Sequence, residues 1–285
     1  MEAPRPRVLR HESEQGRWEL AVRAPAPALR SYLTRPYTGF VEERPGSLSR
    51  REVPIPTTVL IVNFGLPFRV SGEEYRSSFL AGLSDSFAIT EYVGKSHGIQ
   101  IDLTPPGAHV ILGLPMSELA NRVVHLEDVL GADAERLTAR LYELPTWDQR
   151  FDLLDDVLSA RLASARPPSP DVAWAWRRLL ESNGGIEIRA LTDTLGCSRR
   201  HLVSRFHEQV GLPPKTMARI LRFNQVIQML LRDDGSRFAE IAHSCGYYDQ
   251  SHLNRDFREL AGVTPSEFLS QRLADDMADE LAAAS

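Results

Sequence analysis

Two segments of this 285-residue chain repeat each other. "LTDTLGCSRRHLVSRFHEQVGLPP" begins at Leu191, and "IAHSCGYYDQSHLNRDFRELAGVTP" begins at Ile241. A Gly stands five residues after the first apolar residue of each copy, at Gly196 and Gly246. Leu and Phe then recur four apart, as Leu202/Phe206 and Leu253/Phe257. Gly211 and Gly262 follow five residues later, and Pro214 and Pro265 three after that. One inserted residue separates the copies, so the repeated unit is a local piece of structure used twice.

Each copy has the logic of a helix-turn-helix. A short helix ends at a Gly, which adopts a left-handed backbone without steric cost. A second helix follows and buries its i, i+4 apolar pair, which leaves the opposite face free. In the first copy that face carries Arg199, Arg200, Ser204 and His207; in the second it carries Gln250, Ser251, Asn254, Arg255 and Arg258. Arg suits guanine O6/N7 and Asn or Gln suits adenine N6/N7, and a major groove admits one α-helix. A long helix expected over 215–231 joins the copies and can present the two reading helices to successive major grooves about 34 Å apart.

Charge agrees locally, not globally. The net charge is -5, yet residues 198–232 hold seven bases (Arg199, Arg200, Arg205, Lys215, Arg219, Arg222 and Arg232) against Glu208 alone. Screening confines charge effects to about 8–10 Å, so a polyanion would feel this patch rather than the total. Residues 233–275 carry four bases against eight acids, and residues 276–285 form an acidic tail.

The stretch "SARPPSPD" over 164–171 reads as a linker entering a helix at Ser169-Pro170-Asp171. We therefore expect a first domain over 1–163, a linker over 164–170 and a second domain over 171–285. The second reads as helices over 171–182, 187–195, 199–209, 215–231, 237–244, 250–260 and 265–277. The first reads as β-rich to about residue 112, from β-branched and aromatic runs such as "PTTVLIVNF", and as three helices after Pro115. In the last of these, Phe151, Leu154, Leu158 and Leu162 form an apolar stripe, either packed on its own domain or forming a subunit contact.

Chain chemistry narrows the classes. No long apolar run or signal-peptide core is present, so a cytoplasmic protein is expected. There is no His-x-His, His-Glu-x-x-His, Cys-x-x-Cys, Gly-x-Ser-x-Gly or P-loop, so neither a metal, a cofactor nor an enzyme activity is expected. Cys197 and Cys245 lie inside the two repeats, where small buried thiols are the expectation.

From Ile241 to Pro265, Ile-Ala, Gly-aromatic, Arg-x-Phe and Gly-Val-Thr-Pro resemble the signature of AraC/XylS transcription regulators. The resemblance covers about residues 171–273. It implies an α+β chain: a β-rich, cupin-like N-terminal sensor domain and an all-α C-terminal domain with two helix-turn-helix units. By position it implies DNA reading by Arg200, Val203 and Ser204 and by Gln250, Ser251, Asn254 and Arg255, with Lys215 and Arg222 as phosphate contacts. His252-Leu253-Asn254 departs from the usual pattern. Residues 101–131 resemble the junction of one group of these regulators. Partners implied are double-stranded DNA, RNA polymerase, a possible small effector at an unknown site, and a second copy of the chain. Two alternatives stay open: a catalytic or metal-binding cupin domain, and control by a protein partner.

Overall fold

The computed structural model describes residues 5–14, 16–232 and 238–272. The expected helix start at 237, the residues after 272 and the acidic tail lie outside the described residues. The first part contains β1 (Arg7–Ser13), β2 (Gly16–Arg23), β3 (Tyr37–Glu52), β4 (Thr58–Asn63), β5 (Phe68–Val70), β6 (Glu73–Tyr75), β7 (Phe79–Ala81), β8 (Ala88–Leu103) and β9 (Val123–His125). They form one antiparallel sheet in the order β1-β2-β3-β8-β4-β7-β9, with β5 bridging β6 and β8.

The period-2 pattern explains why both faces are covered. Leu60 and Val62 of β4 enter one core with the helices, whereas Ile61 joins Trp18, Leu20, Phe40, Phe68 and Tyr92 on the other face. The helices on the first face are α1 (Pro105–Leu112), α2 (Leu126–Leu130), α3 (Ala132–Glu143) and α4 (Trp147–Ser164). Phe151, Leu154 and Leu158 are buried in this core and Leu162 packs against it. The stripe is thus spent on its own domain. Arg23 of β2 fixes α4 from the sheet side, pairing with Asp152 at 2.6 Å and Asp155 at 2.8 Å.

Two local expectations are corrected. The segment from Pro115 to Gly131 is not one helix: a 3-10 turn at Met116–Glu118 leads to β9, and only then to α2. Asn121 has a left-handed φ of 58°, which breaks helical propagation, and β-branched Val123 and Val124 pair with β7 instead. Residues 105–112 are helical rather than β, since Thr104 caps the Gly107 amide at 3.1 Å and Pro105 and Pro106 occupy the first turn.

The second part contains α5 (Pro170–Glu181), α6 (Ile188–Leu195), α7 (Arg199–Val210), α8 (Pro214–Leu231), α9 (Phe238–Ser244), α10 (Gln250–Ala261) and α11 (Pro265–Arg272). They build two cores. One gathers Trp176, Leu191, Leu202, Phe206, Met217 and Ile220; the other gathers Phe223, Val226, Ile241, Leu253, Phe257 and Phe268. The sheet domain contributes to each, with Leu83 buried in the first and Val53 packed on the second.

His97 of β8 packs edge-on against Phe64 and Trp147, at 5.1 and 5.8 Å between ring centres. Burial, then the nearby Arg150 and Lys95 charges, push its pKa down to about 4, against an opposing pull from Glu19. An unfolded His titrates near 6.5. Between those values the unfolded chain binds more protons, so stability is retained above about pH 6.5 and falls as pH drops towards 4. Partial solvent screening reduces the effect to about 1–2 kcal/mol. Urea midpoints at pH 7.5 and 5 should therefore differ more for the wild type than for His97→Gln.

Candidate nucleic-acid interface

The first helix expected to read DNA, α7, is set by its two ends and its buried edge. Gly196, with φ 63°, closes α6 by donating its amide to the Thr192 carbonyl. Ser198 then caps α7, its hydroxyl accepting the His201 amide at 3.2 Å. Leu202 and Phe206 are fully buried. With that edge fixed, Arg199, Arg200 and Ser204 are exposed, and Val203 and His207 are half-buried.

The second helix is built the same way with different atoms. Gly246 has φ 74°, and the Asp249 carboxylate accepts the His252 amide at 2.7 Å. Leu253 and Phe257 are buried, and Phe257 packs edge-on against Phe223 of α8 at 5.0 Å and Phe268 of α11 at 5.5 Å. Gln250, Ser251, Arg255 and Arg258 are then exposed, with Asn254 half-buried. Thr264 and Glu267 form a capping box on α11: the Thr264 amide donates to the carboxylate at 2.7 Å, and the Glu267 amide donates to the hydroxyl at 3.3 Å. These bonds from the Thr264 amide and hydroxyl hold the Glu267 carboxyl below its usual range.

The structure brings the named residues together on two helices, but not all are equally free. Among the described residues, Arg199, Arg200, Lys215 and Arg255 have no carboxylate within salt-bridge distance. Arg222, in contrast, donates through Nη1 to the Gly184 carbonyl at 3.1 Å. That bond holds the α5–α6 loop on α8, where a Cβ at Gly184 would lie 2.1 Å from the Ala218 carbonyl. Cys245 is buried 3.6 Å from the Met229 sulfur, and burial raises its thiol pKa to about 11. Cys197 is half-buried.

The sequence reading missed Arg219. Its guanidinium pairs with Asp256 of α10 at 2.9 Å and also with Glu259, which ties the long helix α8 to α10. The only available signal was one more base in a basic run, because both partners lie far along the chain.

These features define a helix-turn-helix protein with a β-rich companion domain. A helix-turn-helix domain model matches residues 191–271, and a model described as a domain of unknown function (DUF6597) matches residues 21–125. The matched stretch, residues 191–271, is a helix-turn-helix domain similar to those of AraC-type transcription regulators.

Relatives include the HTH-type transcriptional activator RhaR of Pectobacterium carotovorum, 37% identical over 71 residues, 25% of each chain. A putative AraC-like transcription regulator of Streptomyces lividans is 33% identical over 78 residues, 27% of this chain and 25% of that one. An uncharacterized HTH-type transcriptional regulator, YbfI of Bacillus subtilis, is 30% identical over 93 residues, 32% of this chain and 33% of that one. The matches thus span a quarter to a third of those relatives' lengths. Among solved structures, ToxT of Vibrio cholerae is 14% identical with a TM-score of 0.47, covering 82% of this chain and 97% of that one.

Proposed function

We propose that this chain is a sequence-specific DNA-binding transcription regulator of the AraC/XylS type, reading adjacent major grooves with α7 and α10. The observation that carries the reading is the pair of repeated helices whose buried edges are fixed while Arg199, Arg200, Gln250, Ser251 and Arg255 stay exposed. Val203, Ser204, His207, Asn254 and Arg258 complete the two reading faces. Lys215 and the remaining donors of Arg222 serve the phosphate backbone. α8, at 18 residues, is about 27 Å long at 1.5 Å per residue, a rod suited to spacing two reading heads.

The basic run around α7 supports a division of labour. The first helix supplies most of the affinity and its salt dependence, and the second adds selectivity or meets RNA polymerase. Equal losses for Arg200→Ala and Asn254→Ala across several salt concentrations would contradict that division.

Control runs from the N-terminal domain by linkage: an effector, or a protein partner, that favours one domain arrangement shifts the population able to place both helices. Contacts at the ends of both helices support this route. Arg51 of β3 lies over Phe87 at 4.6 Å and donates to the Ala261 carbonyl at the end of α10, at 3.0 Å. Asn224 of α8 donates to the Pro54 carbonyl at 2.7 Å, and Gly211, just after α7, sits against Met116. The protein acts in the cytoplasm as a homodimer, which raises the effective concentration of the second half-site. Among the described residues, no helix is long and apolar enough to cross a membrane.

Selection of bound duplexes from a random DNA pool by the purified chain tests the reading. The expected product is a pair of short motifs about one helical turn apart. Recovery of unenriched sequence would overturn it.

A further inference from the structure

A cleft of about 410 Å³ opens between the sheet and the start of α4, away from the two reading helices. Val8, Arg10, Val41, His97, Trp147 and Arg150 are among the residues lining it. Trp147 lies flat over β3, where a Cβ at Gly39 would fall 2.4 Å from its ring, so the tryptophan forms a fixed wall.

Arg150 is the anomaly. Its residue is 9% exposed. Its Nε donates to the Leu141 carbonyl at 3.0 Å, and its Nη1 lies 3.4 Å from the His97 Nε2. The guanidinium sits 4.7 Å over Trp147 and 5.3 Å from the Phe64 ring centre. Among the described residues no carboxylate lies within salt-bridge distance of it. A buried cation without a counter-charge is costly, and such charges are ordinarily paired.

The neighbouring carboxylates are already engaged. Glu19 accepts from Trp147 Nε1 through one oxygen and from Arg10 Nε through the other, each at 2.7 Å. Asp148 is taken by Arg23 at 3.3 Å. Burial lowers the basicity of His97 most, and the Arg150 and Lys95 charges lower it further against the opposing pull of Glu19.

We propose that this cleft binds a small monocarboxylate with an apolar body, its carboxylate paired with Arg150 and its body lying on Trp147, Val8 and Val41. Arg10 stands at the mouth and draws the anion in. A planar guanidinium suits the two oxygens of a carboxylate, and the aromatic wall suits an apolar body. The assignment of this anion as the effector rests on the N-terminal domain acting as a sensor; the binding itself does not.

The test uses the full chain and cyclohexanecarboxylate, with cyclohexanecarboxamide as its uncharged twin. Titration followed by the Trp147 indole ¹H–¹⁵N resonance should give saturable binding of the acid and at least tenfold weaker binding of the amide. Arg150→Met should remove acid binding, and Arg10→Gln, at an exposed position, should weaken it two- to threefold. If Arg150→Met does not fold, the acid–amide contrast and Arg10→Gln decide. Failure of the acid to saturate, equal binding of acid and amide, or unchanged binding by Arg150→Met would each overturn the cleft. Repeating the titration with selected operator DNA separates the two readings. Acid binding without any change in DNA affinity would refute the effector role alone. DNA binding without acid binding would refute the cleft and leave the regulator standing.

Discussion

Phe257→Ala is expected to lower stability by about 3–5 kcal/mol, the range for truncating a fully buried aromatic. Phe257 is fully buried and is the point where three helices meet, with Phe223 of α8 on one side and Phe268 of α11 on the other. The cavity left behind cannot close without moving α10 off the long helix. Total stabilities of domains are about 5–15 kcal/mol, so this one change removes a large share. Urea denaturation followed by circular dichroism measures it, and DNA affinity should fall with the lost helix. Arg258→Ala, on the exposed side of the same helix, should stay within about 0.5 kcal/mol of wild type. Similar losses for both would mean that the buried edge does not hold α10.

Arg200→Ala should weaken operator binding by about 1–3 kcal/mol, roughly 5- to 150-fold, and relax preference at one base pair. Arg200 is exposed and has no ion-pair partner among the described residues, so its removal leaves folding intact. Lys215→Ala tests a different interaction. A phosphate contact carries no sequence information, so binding should weaken evenly across sequences and the salt slope should fall by about one. Fluorescence anisotropy against the selected duplex and single-base variants, at several salt concentrations, separates the two. An Arg200 variant that binds with unchanged preference would remove that residue from base reading.

What was legible in the chain was local. The fixed offsets from Leu191 to Pro214 and from Ile241 to Pro265 encode turn glycines, caps and buried pairs, each requiring only neighbours a few residues away. Gly196, Gly211, Gly246 and Gly262 all take positive φ, as a repeat of turn chemistry demands. Features that depend on remote partners were not legible. Arg219 read as one base in a basic run, although its pairing with Asp256 and Glu259 makes it a strut. Arg150 adjoins the apolar stripe at Phe151 without belonging to it, and only the approach of Phe64, His97 and Trp147 shows it to be a buried cation. Residues 123–125 lay in a segment of helical periodicity, yet pairing with Phe79–Ala81 overrode that local pattern. Arg222 looked like a phosphate contact by position, while its bond to Gly184 gives it a structural duty as well.

Hydroxyl-radical footprinting on the selected duplex tests the two-headed reading most directly. Two protected patches are expected on one face of the DNA, about 10 base pairs apart. Asn254→Ala should fade the α10 patch alone, and Arg200→Ala should fade the α7 patch most. A single patch, or two patches that fade together with either substitution, would contradict a protein that reads DNA with α7 and α10 as separate heads.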